Sequence, residues 1–116
     1  MIETPLNQDA WESLKTMTDP AFLVELIDVY LTDSPQLIAQ MHAGLAQGDI
    51  EGVRRAAHSL KSNSLTFGAN HLAGLARDLE MLAKGGTLVG AQEILPALEA
   101  SYAQVVPALE ELKNER

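Results

Sequence analysis
The chain has 116 residues, no cysteine, and sixteen acidic against eight basic residues, a formal charge of −8. That length suits one domain, residues 1–116, with one core, and the missing cysteines exclude disulfides, thiolate zinc sites and a cysteine nucleophile, as expected in a reducing compartment. The negative charge makes nucleic acid or an anionic membrane surface a poor partner.

Aromatic residues make up only 4% of the chain, β-branched runs are absent, and Ala, Leu, Glu and Gln abound, so the composition favours an all-α fold. The first twenty residues lack the basic start and apolar run of a signal peptide, and no segment approaches the ~20 apolar residues of a membrane span. A soluble, cytoplasmic protein is expected. Residues 8–16, QDAWESLKT, predict a short helix whose Trp11 and Leu14 cap one end of the fold. Asp19-Pro20 then reads as an N-cap followed by Pro at the first helical position.

At about 100° per residue, Leu23, Ile27, Tyr30, Ser34, Ile38, Met41 and Leu45 fall in one narrow sector. That phase runs unbroken through Pro35, which predicts one helix over residues 20–47, kinked at a proline on its solvent side, rather than two helices. Gly48 ends it and Asp49 caps the next, whose inward stripe is Ile50, Val53, Ala57, Leu60, Ser64 and Phe67, closed by Gly68. A third helix over 70–84 turns Leu72, Leu75, Leu79 and Leu82 inward and stops at Gly85-Gly86. The last, over 88–113, buries a heptad of Ala91, Leu95, Leu98, Tyr102, Val105, Leu109 and Leu112. Pro96 and Pro107 lie on its solvent side, with kinks or a break near Pro96 expected. Connections of one to three residues force neighbours antiparallel, giving an up-down four-helix bundle with a short extra N-terminal helix.

His58 lies about 130° from the buried stripe of its helix, so it faces water. Arg54, Lys61, Ser62 and Leu65 share its exposed stripe. An outward imidazole between an ammonium and a guanidinium group suits nucleophilic attack on phosphorus, because neighbouring cations favour the neutral ring and then offset phosphoryl charge. A structurally satisfied or merely solvated histidine is the plain alternative, and the periodicity argues only against a buried one.

The run AHSLKSNSLTFG resembles the phosphohistidine motif of histidine-containing phosphotransfer (HPt) domains, H-x-L-K-G and then Gly after five intervening residues. His58, Leu60, Lys61 and Gly68 match; Ser62 stands where Gly is commonest and is still small enough to admit a partner. The flanking QGDIEGVRRAA, ANHLAGLARDLE and LPALEASY resemble the corresponding family segments. The resemblance implies a phosphorelay carrier: His58 accepts a phosphoryl group from the aspartate of a response-regulator receiver domain and passes it to another, and a hybrid histidine kinase can be a further partner. Lys61 would steady the phosphoryl oxygens, Arg54, Ser62, Leu65 and Gly68 would belong to the partner-binding set, and magnesium would sit in the receiver.

No nucleotide-binding glycine loop is present, so the carrier is expected to need no cofactor and to have no kinase activity of its own. Neither Glu-x-x-His pairs nor His-x-x-x-His occur, which argues against a metal. His42 and His71 read as structural or surface residues, and Glu80, Glu99, Glu110 and Glu111 as solvated helix faces. Ser59, Ser62 and Ser64 lack a carboxylate at helical spacing that would orient His58 as a base, so hydrolase chemistry is unsupported. The rival is an unphosphorylated helical adaptor that docks a receiver or kinase. A start at Met1 running into a helix within ten residues favours a free-standing carrier over part of a hybrid kinase, and an exposed nucleophile favours a monomer.

Overall fold
A computed structural model describes residues 5–114. Five helices follow one another: α1 (Gln8–Met17), α2 (Pro20–Gln47), α3 (Ile50–Thr66), α4 (Asn70–Lys84) and α5 (Ala91–Asn114). Each of α2 to α5 packs on the next in sequence, and α5 closes the ring against α2. This is the expected four-helix bundle, with α1 as the additional short helix. The 28 residues of α2, at about 1.5 Å each, account for the molecule's longest dimension of 43 Å.

Asp19 and Asp49 cap the helices whose starts they predicted, and Asn7, which the sequence reading did not single out, caps α1 in the same way. Asn7, Asp19 and Asp49 each accept, through the side-chain oxygen, the backbone N–H three residues on, from Ala10, Phe22 and Gly52. Gly48 terminates α2 at φ 71°, a left-handed conformation that glycine enters without a Cβ penalty. α2 runs continuously through Pro35, and α5 through Pro96 and Pro107, so no break occurs near Pro96. All three prolines are exposed, which lets water reach the carbonyls that lose their hydrogen bonds.

The core follows the predicted stripes, with Leu23, Ile27, Tyr30, Ile38 and Met41 from α2 meeting Val53, Ala57 and Leu60 from α3, and Leu95, Leu98, Val105 and Leu109 from α5. Tyr30 donates to or accepts from Ser64 Oγ at 2.7 Å, and its ring lies 5.2 Å from that of Phe67. Burial pushes the Tyr30 hydroxyl up to about 12. Trp11 is buried against the bundle, and Leu14 is half-buried beside it.

Two expectations need correction. The α4–α5 connection spans residues 85–90 rather than one to three, and α5 begins at Ala91 rather than near Leu88. Gly86 and Gly90 adopt φ of 84° and 95°, Leu88 packs on the core from within the loop, and the Gly90 carbonyl accepts the first-turn N–H groups of Glu93 and Ile94. The buried face of α4 is also rotated: Leu72 and Leu79 are buried, but with Ala73, Ala76, Glu80 and Ala83, while Leu75 and Leu82 are half-buried. Small residues on that face, opposite Ala56 and Ala57 of α3, leave room for α3 and α4 to approach closely.

Candidate functional site
By burying Val53, Ala56, Ala57, Leu60 and Ser64, α3 turns its other side to solvent, carrying His58, Ser62 and Leu65. The His58 side chain is 58% exposed, as the helix period requires. Its Nδ1 lies 2.7 Å from Glu80 Oε2 on α4, and Lys61 Nζ lies 2.7 Å from the second oxygen, Glu80 Oε1. One carboxylate therefore holds both groups of the exposed stripe.

Glu80 departs from expectation. Read as a solvated residue, it is instead 5% exposed at the side chain, and the carboxylate expected to be missing beside His58 comes from the neighbouring helix. Glu80 stands one turn from Ala76 and from Ala83, both buried, so it lies on the packed side of α4 where a small-residue wall lets it reach α3. That position between two inward alanines is a signal present in the sequence. The contact spans 22 residues of chain, however, and depends on the register between two helices, which no single-helix periodicity reports.

The Lys61 ammonium holds the Glu80 carboxyl below its ordinary range against the opposing effect of burial, and the His58 hydrogen bond pulls in the same direction as Lys61. An ionised carboxylate can only accept hydrogen bonds. Nδ1 therefore carries the ring hydrogen and donates it to Glu80, which leaves the lone pair on Nε2. Glu80 also fixes the imidazole's orientation while its outer edge stays in water.

Arg54, expected to lend its charge to the imidazole, is committed elsewhere. Its Nε lies 3.0 Å from Glu51 Oε2, and its Nη2 contacts Oε1 of the same carboxylate, so Arg54 holds the Glu51 carboxyl below its usual range. Ser62 is exposed, and Leu65 is 52% exposed on the same stripe. Gly68 is different, because it is buried and cannot offer a side to a docking partner. It adopts φ 72°, its carbonyl accepts the Asn7 N–H at 2.6 Å, and a Cβ there would lie 2.9 Å from the Asn7 carbonyl oxygen. Its place in the motif is the seating of α1 against the end of α3.

His42 Nε2 lies 2.9 Å from Glu99 Oε1, an exposed pair between α2 and α5, so Glu99 is not simply solvated either. His71 is exposed on α4. Among the described residues no group of three or more His, Asp or Glu side chains could hold a metal ion, and no helix is long and apolar enough to cross a membrane.

A family model described as "Hpt domain" matches residues 25–108, which includes His58, Lys61, Glu80 and the whole of α3 and α4. The crystal structure of histidine-containing phosphotransfer protein B (HptB) from Pseudomonas aeruginosa PAO1 superposes with a TM-score of 0.90 at 29% sequence identity, covering 97% of this chain and 96% of that one. No curated protein sequence matches the chain.

Proposed function
The chain belongs to the Hpt domain family, and from that premise we propose that it carries a phosphoryl group on His58 Nε2, taken from the aspartyl phosphate of one receiver domain and delivered to the aspartate of another. The observation that carries this reading is the Glu80 bridge. It accepts the hydrogen bond from Nδ1–H and so holds the ring hydrogen on that nitrogen, which leaves a single nucleophilic nitrogen on the exposed edge of the ring.

In the accepting step the Nε2 lone pair attacks phosphorus, the bond from phosphorus to the donor's carboxylate oxygen breaks, and the donor aspartate departs as a carboxylate. The ring, protonated at Nδ1 and phosphorylated at Nε2, becomes positively charged. Glu80, already ionised and hydrogen-bonded at Nδ1, is placed to stabilise that charge as it develops. Lys61 has three ammonium hydrogens; one is directed at Glu80 Oε1, and the others are available to the incoming phosphoryl oxygens. Delivery reverses these movements. Ser62 and Leu65 supply a small and an apolar contact for the partner, with the Arg54–Glu51 pair at the edge of the same face. The chain acts as a single-domain cytoplasmic monomer with no kinase activity of its own.

The test is incubation with a receiver domain phosphorylated from radiolabelled acetyl phosphate. The wild-type protein should gain an acid-labile, alkali-stable label, and His58→Gln should gain none while keeping its helicity and melting temperature. A mutant that still labels refutes the assignment, and a wild-type protein that binds the receiver but never labels would be an adaptor.

A further inference from the structure
The charge of this molecule is divided between its helices. By sequence, residues 50–84, which hold α3 and α4, carry five bases and three acids, a net +2, whereas the remainder carries three bases and thirteen acids, a net −10. Two of the three acids in the α3–α4 half are already engaged, Glu51 by Arg54 and Glu80 by His58 and Lys61. The third, Asp78, lies about 160° around α4 from Glu80 by helical angle and so points away from the imidazole. Three exposed cations of that half, Arg55, Arg77 and Lys84, have no ion-pair partner among the described residues.

Their placement surrounds His58. Arg55 stands about 60° around α3 from His58 on the side toward α2, where it lines a shallow groove with Gln40, Gln47 and Asp49, whose carboxylate caps α3 without forming an ion pair to Arg55. On the other flank, Arg77 and Lys84 are three residues before and four after Glu80, the residue that touches His58, and within about 60° of it by helical angle. They therefore lie about one turn to either side of the imidazole along α4. Met81, 56% exposed, belongs to the same outer side of α4, as Leu65 does on α3. The nucleophile thus sits in a collar of uncommitted positive charge with apolar patches in it, on a body that is otherwise strongly negative.

We propose that this collar is a steering and docking surface for an acidic protein face, namely the carboxylate-bearing rim around a partner's phosphorylatable aspartate. The inference rests on the phosphocarrier reading and adds to it the chemistry of the partner and the way it is oriented. Charge complementarity carries it. An acidic partner is repelled by α1, α2 and α5 and attracted only where the imidazole is exposed, so encounters are pre-aligned for transfer. The strongly negative remainder gives the same discrimination against a long polyanion, whose charge would extend beyond the collar onto repelling surface.

The experiment follows the second-order rate of label transfer from a phosphorylated receiver domain, chosen as one that labels His58, between 50 and 500 mM NaCl. The wild-type rate should fall by about tenfold or more as salt screens the two faces. The combined variant Arg55→Glu/Arg77→Glu/Lys84→Glu should be slower than wild type by a similar factor at low salt and converge with it at high salt, and the Gln triple should fall between. Circular dichroism melts show whether each variant is folded. Salt-independent transfer, or triple variants that track the wild type throughout, overturns the steering surface while leaving the carrier reading intact. Failure of every receiver tested to label His58 removes both.

Discussion

At the residue scale, the decisive group is Glu80. It is a buried carboxylate that bonds two side chains of the neighbouring helix, and it sets which imidazole nitrogen is free. Glu80→Gln keeps the shape but removes the charge opposite a ring that, on the proposed carrier mechanism, turns cationic on phosphorylation. Since a hydrogen bond to a charged group contributes about 1.5–3 kcal/mol, transfer to His58 should slow by about 10- to 100-fold, measured by the initial rate of labelling. The same change alters the pH dependence of stability. The folded-state pKa of Glu80 is depressed, so its contribution is present above the ordinary carboxylate range and is lost as pH falls through the depressed value. Wild type should therefore lose more stability than Glu80→Gln on acidification from about pH 5 to pH 3, read by urea denaturation. Parallel losses would mean that the bridge is not ionised. His58's exposure was legible in the sequence because it depends on one helix and its period. The role of Glu80 was not, because it depends on how two helices are aligned.

At the scale of elements, local chemistry determined most boundaries. Asp19-Pro20, Gly48-Asp49 and the stripe through Pro35 gave α2 and α3 their limits before any packing was considered, because caps and phase are short-range properties. The α4–α5 connection was harder to read. Leu88 continues a plausible apolar pattern yet packs from a loop, and two glycines in left-handed conformations carry the chain around before Ala91. Gly68 likewise looked like part of a recognition motif and proves to be a packing position under α1. Gly68→Ala would force a Cβ into that contact and a non-glycine residue into a left-handed conformation, which costs about 1–2 kcal/mol before any clash is relieved. A lowered melting temperature is expected, with labelling per folded molecule retained. A variant of unchanged stability but weakened receiver binding would instead restore Gly68 to the docking surface.

At the scale of the whole molecule, a closed ring of four helices gives His58 a rigid platform rather than a pocket. All four long helices share the core, the long α2 and α5 carry much of the negative charge, and the pair α3 and α4 supplies the imidazole, its carboxylate and the cations without ion-pair partners. The total charge was plain from composition. The bases of residues 52–61 already marked a small positive spot on α3, but the part that α4 adds through Arg77 and Lys84 depends on the packing that brings Glu80 against His58. Site and field therefore occupy one side of the bundle, where a second protein can reach both together. The most direct measurement is nitrogen-resolved NMR of the ¹⁵N-histidine-labelled protein before and after phosphorylation by a receiver. Expected is a His58 ring protonated at Nδ1 in the free protein and bonded to phosphorus at Nε2 afterwards, with His42 and His71 unchanged. Phosphorus on Nδ1, on another histidine, or on none would contradict the arrangement of Glu80, His58 and Lys61 as a phosphoryl-accepting site.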